Sequence, residues 1–282
     1  MPRTLLFALA ICSIGAVARA QTTDSRSVAP GGPAAPAHKH YEASAQAAQP
    51  GPGGELAPRL QSLGTHTFPV STKNADAQTF MNQGLNLAYA FNHAEARRAF
   101  REAARLDPTL AMAYWGQALV LGPNINAMME PNDEPHADEL VKKALSLRDG
   151  ASPRERALIE ALDHRYSGKA DRRDADNQAY ADAMRAVHAQ FPDDADISML
   201  YVESMMDLRP WGYWMPDGRP HEGTAEIVAL TEQVMARNPR TTAVAITGWK
   251  RIRNGSVSSL VYRGFVTANL NFSPSKGLDR LS

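Results

Sequence analysis

Apolar residues recur at intervals of three and four through the middle of the chain, which is the period of amphipathic helices. Proline, glycine and acidic residues interrupt this recurrence and divide residues 56–239 into about eight helical segments. We predict helices at about 75–91, 93–106, 110–121, 136–147, 153–167, 174–190, 195–208 and 225–237. The pattern therefore predicts an all-α domain.

The first pair of helices has the clearest packing pattern. Ala96, Phe100 and Ala103 fall on one helix face at i, i+4 and i+7, and Gly84 lets the preceding helix approach them closely. Pro108 ends the second helix because proline lacks an N–H donor and disfavours helix in the residue before it. These residues predict a helical hairpin.

This small, aromatic and proline spacing resembles a repeat of the tetratricopeptide (TPR) family. The resemblance covers residues 77–110 well and the flanking segments weakly, and later helix–proline stops at Pro192 and Pro239 are irregularly spaced. It implies an irregular TPR-like solenoid of helical hairpins over residues 56–239, with a concave groove for an extended peptide or a partner helix. The groove residues that the resemblance implies are Gln78, Met81, Asn82, Leu85, Tyr89, Met112, Trp115 and Leu119.

Capping signals and one insertion refine the helix boundaries. Ser71 or Thr72 is expected to cap the first helix, and residues 152–155 (SPRE) have the composition of a capping box with proline at the first helical position. The insertion at residues 122–135 either lines one end of the groove or only lengthens a turn.

An irregular segment at residues 209–224 concentrates the aromatic residues Trp211, Tyr213 and Trp214 among prolines and glycines. Aromatic side chains in a stiff loop suit ligand contact because they bury a large area at a small entropic cost. In the alternative, Trp211 and Trp214 fold back and fill the space between repeats. We favour this second interpretation.

The N-terminal residues predict export. Residues 1–20 combine a basic start at Arg3, an apolar run and the small-x-small site Ala18-Arg19-Ala20, as a secretory signal peptide does. We expect cleavage after Ala20, a periplasmic or secreted protein, and no membrane span afterwards. The only cysteine, Cys12, would be removed, which excludes disulfide and thiolate chemistry from the mature chain.

Two further segments differ in composition from the helical region. Residues 21–55 are rich in proline, glycine and alanine and predict a disordered linker. The chain carries 30 basic and 30 acidic residues, yet residues 240–282 are strongly basic and have a β-prone pattern. This atypical tail is either a genuine small hairpin or basic tail, or the product of a shifted reading frame that truncates the protein; we favour the second slightly.

Catalytic and ligand signatures are mostly missing from the sequence. It has no nucleophile elbow and no glycine-rich phosphate loop, and the H-E-x-x-H pattern that begins at His221 has Ala225 where the second histidine is required. No basic stripe with interleaved aromatics predicts nucleic-acid binding. We therefore expect no cofactor and no metal, and predict a non-enzymatic scaffold that binds a protein or peptide. The alternative is a periplasmic metal-binding protein or enzyme that uses the His, Met and aromatic loops; partner identity and oligomeric state are not predicted.

Overall fold

A computed structural model describes residues 50–51 and 53–237 of the protein. Those residues contain eight α-helices and no strand, so the predicted all-α class is confirmed. The helices are α1 (Ala75–Tyr89), α2 (His93–Leu106), α3 (Ala111–Leu119), α4 (Glu134–Ser146), α5 (Pro153–Asp163), α6 (Arg173–Gln190), α7 (Ala195–Asp207) and α8 (Thr224–Arg237). Three short 3₁₀ helices lie at Pro131–Asp133, Arg148–Gly150 and Ala170–Arg172. The predicted signal peptide and tail, and nearly all of the predicted linker, lie outside the described residues.

Helix α1 begins later than its predicted cap. Asn74 is the N-cap, and its side chain accepts hydrogen bonds from the backbone N–H groups of Asp76 and Ala77. The prediction of Ser71 or Thr72 as the cap was wrong. Thr72 instead donates through its hydroxyl to Asp107 Oδ2 at 2.6 Å, which ties the start of α1 to the end of α2.

Helix α5 begins as the sequence predicts and ends earlier. Ser152 and Glu155 form the predicted capping box, with both reciprocal hydrogen bonds present. The helix ends at Asp163 rather than at Ser167. Arg165 and Tyr166 turn inward instead, and both are buried.

The buried face of α6 carries larger side chains than its alanine spacing would indicate. Ala179, Ala183 and Val187 recur every four residues, but the two alanines are only half-buried. Tyr180 and Met184 are buried together with Val187. These larger side chains bury more apolar area than alanine and therefore decide which face turns inward.

Helices that follow one another in the chain pack against each other throughout the described part of the chain, and α3 also contacts α1 and α5. Phe100 of α2 lies at the centre of the first three helices and is fully buried. A Cβ atom added at Gly116 of α3 would lie 2.6 Å from Phe100 Cδ1, and one at Gly84 of α1 would lie closer still. The ring is therefore held between two glycines, one of which is the predicted Gly84.

We expect Gly84→Ala to lower the free energy of unfolding by about 1–2 kcal/mol. Alanine would gain about 1 kcal/mol of helix propensity. Overpacking against Phe100 costs up to about 3 kcal/mol, because Gly116 on the opposite side leaves the ring little room to shift. Urea denaturation measures the difference. Gly150→Ala is the matched control, since nothing lies within 4 Å of a Cβ there; equal stability of the two variants would contradict the prediction.

Candidate functional site

An extended segment, residues 56–71, lies against α1 without forming a helix or a strand; we call it the strap. Its first residue is held by α2, where Leu56 N donates to Glu102 Oε2 at 2.7 Å. Its last residue is held by α5, where Ser71 N donates to Glu155 Oε1 at 2.7 Å. Both carboxylates are almost completely buried. The strap therefore joins three helices that are distant in sequence.

Side-chain amides of α1 hold the backbone of the strap. Four of them make six hydrogen bonds with strap N–H and C=O groups, and they belong to Gln78, Asn82, Gln83 and Asn86. Gln78 both donates to Phe68 O at 2.8 Å and accepts from Val70 N at 3.0 Å. Because an amide side chain carries a donor and an acceptor, it can satisfy both kinds of backbone group in an extended segment.

The strap inserts one aromatic side chain, Phe68, which is fully buried. Its ring stacks on Trp115 of α3, with centroids 6.0 Å apart and an interplanar angle of 5°. The guanidinium carbon of Arg154 lies 4.2 Å from the centroid of the same ring. Arg154 is itself fixed by Asp194, whose carboxylate accepts from its Nε at 2.5 Å. An aromatic ring thus fits between an indole and a cation.

The predicted groove residues lie at the strap, in the core or at both. Gln78 and Asn82 bind the strap backbone, Trp115 stacks on Phe68, and Tyr89 donates through its hydroxyl to Asp196 at 2.9 Å. The other four are buried in the hydrophobic core, namely Met81, Leu85, Met112 and Leu119. Three of the eight predicted residues therefore contact the strap directly, and the ring of Tyr89 lies 5.9 Å from that of the strap residue His66. Their contact with a separate ligand stays a prediction.

The loop aromatics do not all fill space between helices. Tyr213 is 3% exposed, and Thr224 donates through its hydroxyl to Tyr213 O at 2.7 Å, which joins the loop to the start of α8. Trp214 is partly buried against the core. Trp211, by contrast, is 47% exposed. The preferred interpretation, with Trp211 and Trp214 turned inward, is therefore wrong for Trp211, and Tyr213 takes the buried position.

A second feature, a narrow interior crevice, lies where α1, α2, α3 and α7 meet. Its cavity volume is about 20 Å³, which leaves room for about one water-sized group. The side chains of Leu85, Ala88 and Leu200 form an apolar part of its lining. The polar lining includes His93, Arg165, Tyr180, Glu203, Ser204 and Asp207.

Arg165 and Asp207 form a buried ion pair in this crevice. The guanidinium donates through Nη2 to Asp207 Oδ2 and to Pro123 O, each at 2.8 Å, and lies over Tyr180 with its central carbon 4.8 Å from the ring centroid. The two charged side chains are 4% and 2% exposed. Arg165 Nε and Asp207 Oδ1 nevertheless have no hydrogen-bond partner among the described residues.

Glu203 adds a second carboxylate, one helical turn before Asp207 on α7. Among the described residues it forms neither a hydrogen bond nor an ion pair, and it keeps part of its surface accessible. Burial raises the pKa of Glu203 against the lowering effect of Arg165. Burial also raises the pKa of Asp207 well above its usual range, and the charge of Glu203 adds to this rise. With both carboxylates ionised, the crevice has one more negative than positive charge.

His93 does not supply a compensating charge. Its burial lowers its pKa to about 4, and the nearby Arg165 contributes to the shift. The ring is therefore neutral at pH 7. Its Nδ1 lies 3.3 Å from Asn124 Nδ2, which connects the start of α2 to the turn after α3.

Comparison with known proteins gives no assignment. No family model, curated protein or solved structure matches this chain. Within residues 50–51 and 53–237, no group of three or more His, Cys, Asp or Glu side chains is placed to hold a metal ion. None of the described helices is long and apolar enough to cross a membrane.

Sequence reasoning missed the crevice and the strap contacts. Arg165 and Asp207 are 42 positions apart, so no local pattern joins them. One signal was present in α1, where four amide residues interrupt a helix that otherwise has apolar and small residues. Asparagine is a poor helix former, and its repetition inside a helix indicates side chains engaged with another backbone.

Proposed function

We propose that this chain is a non-enzymatic binding module, a TPR-like helical solenoid that holds an extended protein or peptide segment against α1 and α3. The packing of successive helices, with additional contacts from α3 to α1 and α5, supports this architecture. The resemblance of residues 77–110 to a TPR unit supports it as well. Export to the periplasm or outside the cell belongs to the same proposal and rests on residues 1–20.

The observation that carries the proposal is the row of side-chain amides on α1. The hydrogen bonds from Gln78, Asn82, Gln83 and Asn86 go to backbone groups, which every peptide offers. Recognition of an extended backbone combined with a side-chain pocket is a recurrent mode of peptide binding. The strap occupies this surface in cis and exemplifies the kind of segment that fits it.

The pocket for Phe68 makes the surface prefer a segment with an aromatic residue. A ring in this position gains stacking on Trp115 and a cation–π contact with Arg154, and both depend on an aromatic side chain. The next strap residue is Pro69, which favours extended backbone at Phe68. The preferred ligand is therefore an extended segment with an aromatic residue, and an aromatic–proline pair fits best.

A peptide added in trans tests this function. In the wild-type chain the strap competes at a high effective concentration because it is covalently attached. Phe68→Ala removes the stacked ring and weakens that competition. We expect a fluorescent peptide with the sequence of residues 64–72 (GTHTFPVST) to bind the Phe68→Ala chain at least about tenfold more tightly than the wild-type chain, as measured by fluorescence anisotropy.

Two controls make the result specific. The same peptide with alanine in place of its phenylalanine should lose most of its affinity for the Phe68→Ala chain. Circular dichroism must show that this chain keeps its helices; if it unfolds, Phe68→Leu replaces it. If a folded variant binds the peptide no better than the wild-type chain does, the strap surface is not a peptide site and the proposal is wrong.

A further inference from the structure

The crevice between α1, α2, α3 and α7 is separate from the strap surface. Some of its carboxylate oxygens lack hydrogen-bond partners among the described residues. Asp207 Oδ1 is buried without a partner among the described residues, and its side chain is 2% exposed. Glu203 lines the same cavity, and no hydrogen bond or ion pair to a described residue engages its carboxylate. Two carboxylates that line the same cavity therefore have acceptor oxygens without a partner among the described residues.

The charge balance of the lining decides what kind of group fits. Arg165 compensates one carboxylate through its bond to Asp207. Glu203 is then left as a partly accessible negative charge without a partner among the described residues. His93 is neutral and adds nothing to the balance. An anionic ligand would meet two carboxylates, whereas a cation with N–H donors would meet acceptors that lack partners.

The volume of the crevice and the residues that line it restrict the chemical class of the ligand further. A cavity of about 20 Å³ admits one group of the size of water, such as a single –NH₃⁺ head, and is too small for a quaternary ammonium. The ring of Tyr180, which lines the crevice, already lies under the guanidinium of Arg165, so this wall accommodates positive charge. This volume takes only the head, so the methylene groups next to it would lie outside the cavity, on the side where Glu203 is partly accessible.

We propose that this crevice is a binding site for a primary alkylammonium group, held by the carboxylates of Glu203 and Asp207. The group is either the head of a free small amine or a lysine side chain of a partner, since both present the same chemistry. This site does not depend on the strap surface, because no strap residue lines the crevice. Its failure would leave the proposed peptide-binding function untouched, and the reverse also holds.

Thermal unfolding of the full chain at pH 7.5 tests the site, with four probes at equal ionic strength. n-Butylammonium chloride should raise the Tm saturably, with half of the effect at about 1 mM, as its few heavy atoms allow. n-Butanol has the same apolar tail without the charge, tetramethylammonium has the charge without N–H donors, and NaCl supplies only ions. None of these three should raise the Tm to a comparable extent.

Two substitutions test whether butylammonium raises the Tm by binding in the crevice. Glu203→Gln should weaken butylammonium binding by about tenfold or more, because it removes a charge-assisted hydrogen bond. Glu160→Gln removes an exposed carboxylate that does not line the crevice and should leave binding unchanged. Nα-acetyl-lysine amide distinguishes the two sources: if it binds like butylammonium, a lysine side chain qualifies, and if it does not, the ligand is a free amine. An equal Tm response of wild-type and Glu203→Gln chains, or an equal response to butanol, would overturn the proposal.

Discussion

Arg165→Met should lower the free energy of unfolding by about 3–5 kcal/mol, the loss expected when one partner of a buried ion pair is removed. Methionine fills a similar volume, so the effect reports the charge and the hydrogen bonds rather than a cavity. The change removes both 2.8 Å donations, to Asp207 Oδ2 and to Pro123 O, and the contact with Tyr180. Asp207 and Glu203 would then lie in the crevice with no positive charge beside them. Urea denaturation at pH 7.5 measures this loss.

A double-mutant cycle assigns the loss to the pair. Asp207→Asn in the Arg165→Met background removes the unpaired charge and should recover a large part of the lost stability, so that the two changes are not additive. Arg172→Met is the surface control, because Arg172 pairs with Asp176 through a side chain that is 58% exposed. Such exposed pairs contribute little. If Arg165→Met is no more destabilising than Arg172→Met, the buried pair does not stabilise the fold as argued.

The helices were predictable because their signals are local. Apolar period, proline stops and the capping box at Ser152 each act within a few residues, and all eight predicted helices are present in the described part of the chain. The place of Phe100 against Gly84 also followed from spacing alone. Its second neighbour, Gly116, did not, because it belongs to the next hairpin.

The strap and the crevice were not predictable in the same way. The strap has no period, and its order comes from amide side chains on α1 whose partner no local pattern identifies. The burial of Phe68 depends on Trp115 and Arg154, which are distant along the chain. The crevice depends on Glu203 and Asp207 facing a buried Arg165. A pair of carboxylates one helical turn apart is also common on exposed helix faces. The sequence alone therefore does not show that Glu203 and Asp207 line a crevice.

The two proposed sites share helix α1 but differ in what they recognise. Amide residues from Gln78 to Asn86 face the strap, whereas Leu85 and Tyr89 line the crevice. A ligand that carries both an extended aromatic segment and an amine would contact one helix along most of its length. The amine site can be studied alone, because a change at Glu203 alters no strap contact.

Glu203→Gln should stabilise the protein by about 1 kcal/mol at neutral pH and above, the lower end of the cost of holding a polar group partly out of water without a partner. Burial raises the folded-state pKa of Glu203 above its ordinary value of 4.5, despite the opposing charge of Arg165. The folded chain therefore retains a proton that the unfolded chain has released. Stability falls as pH rises from the unfolded pKa through the folded pKa, and the full loss persists above it. Glutamine keeps the shape without this cost.

The dependence on pH separates this cause from a general packing effect. Near pH 4, where glutamate is largely protonated in both states, the variant and the wild-type chain should be almost equally stable. Their difference should grow as pH rises, and it includes the change at Asp207, whose pKa is raised by the charge of Glu203. Urea denaturation from pH 4 to pH 8 measures the two curves, with Glu160→Gln as the exposed control. A difference that stays constant over this range, or a variant less stable than the wild-type chain at pH 8, would show that Glu203 is already compensated in the folded protein and that its charge is not held at a cost to stability.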